Sequence, residues 1–222
     1  MSNYFRQVPD LEYVSRSKDA VLGEYSKVKN LFKRGKLRED IFKDLSFFNK
    51  YNIKGDDRPD NVANEVYGDS NLDWVVLICN NILNVQSEWP MSQQLFDEYV
   101  LGKYGDYDTL YNGIHHYETL EVKNSQGVVV LPAGLQVDSD YTLTFYDYET
   151  NAYQFKTDIV VAVTNYEYED RLETDKRTIF ILKPSYLNVV KDDLEEIMTY
   201  EKGSTQYVSG TLKRADNIRL YN

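Results

Sequence analysis

The stretch from Tyr51 to Trp89, YNIKGDDRPDNVANEVYGDSNLDWVVLICNNILNVQSEW, constrains the fold more than any other part of the chain. Tyr51–Lys54 reads as extended. Gly55-Asp56-Asp57 then forms a polar turn, with a glycine free to take positive φ. Pro59 holds Arg58 extended and suits the first turn of a helix, where its missing N–H is no loss. Val62, Ala63 and Val66 recur at helical spacing, and Gly68 follows as a left-handed cap. Asp69, Ser70 or Asn71 can cap a second helix, whose apolar residues include Leu72, Trp74, Val75, Leu77 and Ile78. That helix is apolar nearly all round, so other parts of the chain must cover it. With a return segment expected in Asn80–Met91, the stretch reads as a βααβ module.

The flanks divide into further segments. Residues 1–26 have weak periodicity and scattered aromatics, the pattern of an arm that orders on a partner. Residues 27–104 hold a helical segment over Ser26–Ser46 with a break at Gly35, then the module, then a helix capped by Ser92. In that last helix Leu95, Phe96, Tyr99, Val100 and Leu101 are expected to supply the buried face. Residues 105–183 read as an antiparallel β region. There Asn124–Gly127 forms a turn, and Tyr141, Leu143 and Phe145 alternate against Thr142, Thr144 and Tyr146. Residues 184–222 carry a C-terminal helix, with Leu187, Val190, Leu194 and Ile197 on one face, and a polar tail. The expected class is α+β: a βααβ module with flanking helices, a small antiparallel β region and a C-terminal helix.

Charge narrows the partners. The net charge is −11, yet residues 1–50 hold eleven Lys/Arg against seven Asp/Glu, leaving −15 for the remainder. An acidic chain is a poor ligand for nucleic acid, where phosphate contacts supply most of the affinity. The basic run Lys27, Lys29, Lys33, Arg34, Lys36 and Arg38 reads as a solvated helix face or as a docking patch for an acidic protein. The longest apolar run, Trp74–Cys79, is too short to cross a bilayer. Met1–Asp10 lacks a signal-peptide core, so the chain is expected to stay in the compartment where it is made. The single cysteine forms no internal disulfide, and twenty tyrosines suit either protein interfaces or sheet surfaces.

Reactive chemistry finds little footing. His115 and His116 are adjacent, so on a strand they would point to opposite faces and chelate one metal poorly. Cys79 lies in the most apolar stretch, where an inert thiol is expected. Carboxylates are too numerous for any pair to be informative, and no phosphate-loop, dinucleotide, zincin or nucleophile-elbow motif occurs. The expectation is a protein without catalytic, cofactor or metal residues.

The pattern I-K-G-D-x-R-P-x-x-V-A-x-x-x-Y-G-x-x-x-L-x-W-V-x-L-x-C-N over Ile53–Asn80 looks like a lysin-motif (LysM-like) module. More narrowly, it resembles the baseplate wedge subunit of T-even-like contractile-tailed phages. Arg177–Tyr200, RTIFILKPSYLNVVKDDLEEIMTY, resembles that family's closing strand and helix. The resemblance implies a virion protein, assembled in the host cytoplasm, that holds wedge proteins together and links neighbouring wedges near the sheath-initiating protein. Six copies, or a multiple, would follow. It marks Gly55, Pro59, Tyr67, Gly68, Trp74 and Asn80 as fold positions of the module. Asp56, Asp57 and Arg58, with Lys33, Arg34 and Lys36, are the candidate protein contacts. The alternative is a peptidoglycan- or chitin-binding module, with its groove between Gly55–Asp60 and Asn81–Gln86.

Overall fold

The computed structural model describes residues 3–15, 17–21, 23–203 and 206–215. The chain forms two compact units, Met1–Trp89 with Thr178–Asn222 and, inserted between them in sequence, Pro90–Arg177. Both mix helices with small sheets, and the antiparallel pairings of residues 114–164 give the second unit its expected β character.

The first unit is built around the module. The helix Pro59–Tyr67 starts on its proline and ends at Gly68, whose φ is +72°. Asp69 caps the short 3-10 turn Ser70–Leu72, which leads into the helix Asp73–Cys79. The return strand is not where the sequence suggested. Asn80–Met91 contains only the helical turn Val85–Glu88, started by the Asn84 side chain. The strand Phe48–Asn52 pairs instead with Thr178–Leu182, antiparallel, with Leu182 opposite Phe48 and Thr178 opposite Asn52. The physical reason is burial. TIFIL places Ile179, Ile181 and Leu182 in the core, whereas Asn80–Met91 offers no comparable apolar run. Val62, Ala63, Val75, Val76 and Leu182 are fully excluded from solvent. Val190, Leu194 and Met198 of the helix Leu187–Met198 complete that core.

Polar side chains lock the closure. Asn80 Nδ2 donates to the carbonyls of Val76 (2.8 Å) and Phe180 (2.9 Å), while its Oδ1 accepts from Phe180 N–H at 2.7 Å. One carboxamide thus ends the second helix and borders the closing strand as a neighbouring strand would. Tyr67 Oη donates to the Leu182 carbonyl at 2.9 Å. Trp89 Nε1 donates to the Asp57 carbonyl at 2.9 Å, pinning the polar turn.

The segments expected as loose ends meet each other. A four-stranded sheet runs in the order Tyr207–Ser209, Leu212–Ala215, Asp10–Val14, Tyr25–Lys29. The two central strands are parallel, with Asp10 opposite Leu212. Asp10 takes Lys27 and Lys29 at 3.1 and 3.0 Å, and Arg214 meets Glu12 at 2.9 Å. Neither segment has a strong pattern of its own, but pairing satisfies their backbones together. The outermost parts of both expected arms, residues 1–2 and 216–222, lie outside the described residues. The helix expected over Ser26–Ser46 reduces to Glu39–Lys43. Before it the chain passes so close to Leu194 that a Cβ on Gly35 would sit 2.5 Å from Leu194 Cδ1.

In the second unit the helix Gln93–Tyr104 is capped by Ser92 and ends at Gly105. Its buried face is narrower than expected: Phe96 and Val100 are buried with Leu110, while Leu95 and Tyr99 face solvent. The strand Ile114–Thr119 lies between Val160–Thr164 and Gln136–Val137. Two hairpins, Val122–Lys123 with Val129–Leu131 and Leu143–Asp147 with Ala152–Lys156, complete the β portion. The helix Asn165–Lys176 was not anticipated. Its signal is a capping box, in which Thr164 Oγ1 accepts from Glu167 N–H and Glu167 Oε2 accepts from Thr164 N–H.

Replacing Asn80 by Ala strips partners from Phe180 N–H and C=O. We expect Asn80→Ala to lower stability by about 1–3 kcal/mol in chemical denaturation. Asn61→Ala, on the exposed side of the first module helix, stays within about 0.5 kcal/mol of the parent.

Candidate interaction surface

The polar turn of the module divides into tied and outward-facing residues. Gly55 takes φ +50°, and Asp57 N–H donates to the Lys54 carbonyl at 3.1 Å. Asp57 is further held by Trp89, leaving Asp56 and Arg58 as the exposed members. Arg58 pairs with Asp60 at 3.2 Å but keeps most of its side chain in solvent. Glu65 accepts from Tyr51 Oη at 2.6 Å and from Lys54 Nζ. Burial, and then the Glu65 carboxylate, push the Tyr51 phenol up to about 12.

The basic run is not a helix face, and its members have separate tasks. Lys27 and Lys29 neutralise Asp10, and Arg38 reaches Asp40 (3.1 Å) and Asp193 (3.5 Å). Lys33 Nζ donates to the carbonyls of Ile197 (2.7 Å) and Thr199 (3.0 Å), at the C-terminal end of Leu187–Met198. A cation is favourable there because the last carbonyls of a helix carry partial negative charge. Lys33 also lies 4.8 Å from the ring centre of buried Tyr200, and Lys213 lies 4.9 Å from the same ring. Desolvation, then Lys213, lower its pKa. Arg34 bonds the Asn81 amide oxygen at 3.3 Å. Neither Arg34 nor Lys36 has a carboxylate partner among the described residues.

These two cations border an apolar furrow. Three depressions of about 410, 230 and 260 Å³ share walls: Arg34 and Ile78 line the first two, and Phe42 lines the last two. Phe5, Leu83 and Trp74 belong to one end, Leu45, Phe48 and Phe180 to the other. Phe5 (62%), Phe42 (52%), Leu45 (68%) and Leu83 (64%) are largely exposed, as are Leu31 and Phe32 nearby in sequence. The short helix Glu39–Lys43 buries only Ile41, and Phe42 on it and Leu45 just beyond it stay uncovered. Cys79 also lines the furrow, but burial pushes its thiol up to about 12, so it is protonated at neutral pH and unsuited to nucleophilic attack.

The tyrosines divide between packed and exposed positions. Tyr67 and Tyr200 are tied into the first unit, and Tyr141 packs beneath a hairpin of the second. Tyr148 and Tyr153 stand 77% exposed on that hairpin, with the Tyr146 ring about 5 Å from each.

The two kinds of lysine and arginine separate by experiment. Lys33→Ala should cost about 1–2 kcal/mol, because it uncaps two carbonyls at a helix end. Arg34→Glu and Lys36→Glu should each change stability by no more than about 0.5 kcal/mol. Thermal and urea denaturation of the three variants provide the check.

Comparison with known proteins places these features in a family. Residues 5–198 match the family described as base plate wedge protein 53. The chain is also similar to baseplate wedge protein gp53 of Enterobacteria phage T4, at 29% identity over 164 residues, covering 69% of this chain and 75% of that protein. The family match spans the module, the inserted unit and the closing strand and helix. The chain therefore belongs to the base plate wedge protein 53 family, structural components of the phage tail baseplate.

Proposed function

We propose that this chain is a joint of the baseplate wedge, and that its furrow receives a segment of a neighbouring wedge protein. The observation that carries the reading is the furrow itself: uncovered Phe42 and Leu45 beside Arg34 and Lys36, which have no carboxylate partner among the described residues of a chain of net charge −11. The occupant that suits it is an acidic segment with apolar anchors, because buried apolar contact supplies affinity while opposite charges set register and encounter rate. Asp56 and Arg58, on the turn of the module, form a second candidate contact. In this reading the chain holds wedge proteins together and links adjacent wedges near the sheath-initiating protein, in six copies or a multiple. The βαα elements with their distant closing strand are a LysM-like module opened by an insertion and used for protein contact.

A glycan-binding use of the module predicts a groove beside Gly55–Asp60. The Trp89 indole is buried against that turn and bonded to Asp57, which supports the protein-contact reading.

Co-expression with the other wedge proteins tests the proposal. The parent should co-purify in stoichiometric amounts, and Phe42→Ser with Leu45→Ser should weaken the complex by roughly thirtyfold or more, the scale of an interface hot spot. Undiminished assembly of a folded double variant overturns the furrow as the contact. In a separate pull-down, insoluble peptidoglycan or chitin should not retain the chain. Retention that soluble chito-oligosaccharide competes away would return the module to glycan binding.

A further inference from the structure

His115 and His116 do not point to opposite faces of their strand. The ladder between Val160–Thr164 and Ile114–Thr119 shifts register, with Val163 opposite His116 and Thr164 opposite Ile114, so His115 is an extra residue. Such a bulge breaks the alternation that separates neighbouring side chains. The two Nδ1 atoms come within 2.9 Å, with the ring centres 5.1 Å apart.

The surroundings orient both rings. His116 Nε2 lies 3.0 Å from Glu118 Oε1, and Glu118 is gripped by Arg171 Nη1 at 2.9 and 2.8 Å. Arg171 engages both Glu118 oxygens, so the carboxylate faces His116 as an acceptor. With His116 Nε2 turned to that carboxylate, its Nδ1 is left facing His115 Nδ1, the two nitrogens sharing one hydrogen. His115 lies flat on Tyr168, with ring centres 3.8 Å apart and planes 9° from parallel. A carboxylate that fixes a histidine tautomer from behind is the usual outer support of an imidazole metal ligand.

We propose that His115 and His116 form a two-imidazole site for a zinc-like divalent cation, held by the two Nδ1 atoms. With metal–nitrogen bonds of about 2.0–2.1 Å, tetrahedral coordination puts two imidazole nitrogens about 3.3 Å apart. The pair must open by a few tenths of an ångström, and both rings must turn, because the metal sits off the line joining the two nitrogens. On binding, the hydrogen between the two Nδ1 atoms leaves for the outer nitrogen of His115, and both Nδ1 lone pairs converge on the metal. The rings border an open depression of about 570 Å³, whose wall also carries Asp138 and Asp140. Those carboxylates favour a cation without being placed as ligands. Among the described residues no group of three or more His, Cys, Asp or Glu side chains is arranged to hold a metal ion. Water therefore fills the remaining positions, and the site is an open one.

The test is clean because the chain has only two histidines. Zn²⁺ titrated into the full-length chain at pH 7.5 should bind with one-to-one stoichiometry. In the same titration the NMR signals of both imidazoles should shift together, a readout on the unaltered protein. His115→Ala and His116→Ala, with unchanged far-UV circular dichroism, should each weaken binding at least tenfold. Glu118→Gln should weaken it by about 10–100-fold, by loss of outer support. The proposal is overturned if Zn²⁺ leaves both imidazole signals unmoved, or if either folded His→Ala variant binds as tightly as the parent.

Discussion

One strand pairing holds the first unit together. Phe48–Asn52 and Thr178–Leu182 are far apart in sequence yet form the two-stranded sheet against which the module helices pack. Bringing such distant segments together costs loop-closure entropy, although that cost grows only slowly with loop length. What offsets it is concentrated in a few residues. Ile179, Ile181 and Leu182 enter the core, Tyr67 and Asn80 satisfy polar backbone groups of the strand, and Leu194 and Met198 follow directly on the next helix. The inserted unit has hydrophobic clusters of its own around Phe96, Val100 and Leu110, and around Val122, Leu131 and Ile159.

What could be read from the chain alone follows from where the determinants lie. Pro59, Gly68, Asp69 and Ser92 act within a turn of their own position, and each does what its chemistry dictates. The alternation of Leu143 and Phe145 was equally local, and both pack into the core beneath the hairpin. The module's closing strand was misplaced because its partner is set by burial against distant helices, which no local pattern reports. The terminal sheet was missed for the same reason: Asp10–Val14 pairs with Leu212–Ala215, and neither is persuasive alone. The expected helix over Ser26–Ser46 failed differently. Its apolar spacing is helical, but Tyr25–Lys29 is claimed by the sheet and Gly35 by the close approach of Leu194.

Of the candidate surface residues, charge type was legible and role was not. A row of six basic residues looks uniform in sequence, yet two pair with Asp10, one caps a helix end, one pairs with Asp40 and Asp193, and Arg34 and Lys36 have no carboxylate and no helix end among the described residues. The last two border the furrow, where their charge is available to a partner. The histidine pair shows the same limit: alternation predicts separation, and a single bulge reverses it.

The central claim is that the strand Thr178–Leu182 belongs to the same cooperative structure as the module helices. Native-state amide hydrogen exchange measures this directly, since groups that open only by global unfolding share one free energy of exchange. The Ile179 and Ile181 amides, which face the paired strand, should exchange with the same free energy as Val62, Ala63 and Val76. Fast exchange of the strand while the helices remain protected would contradict it.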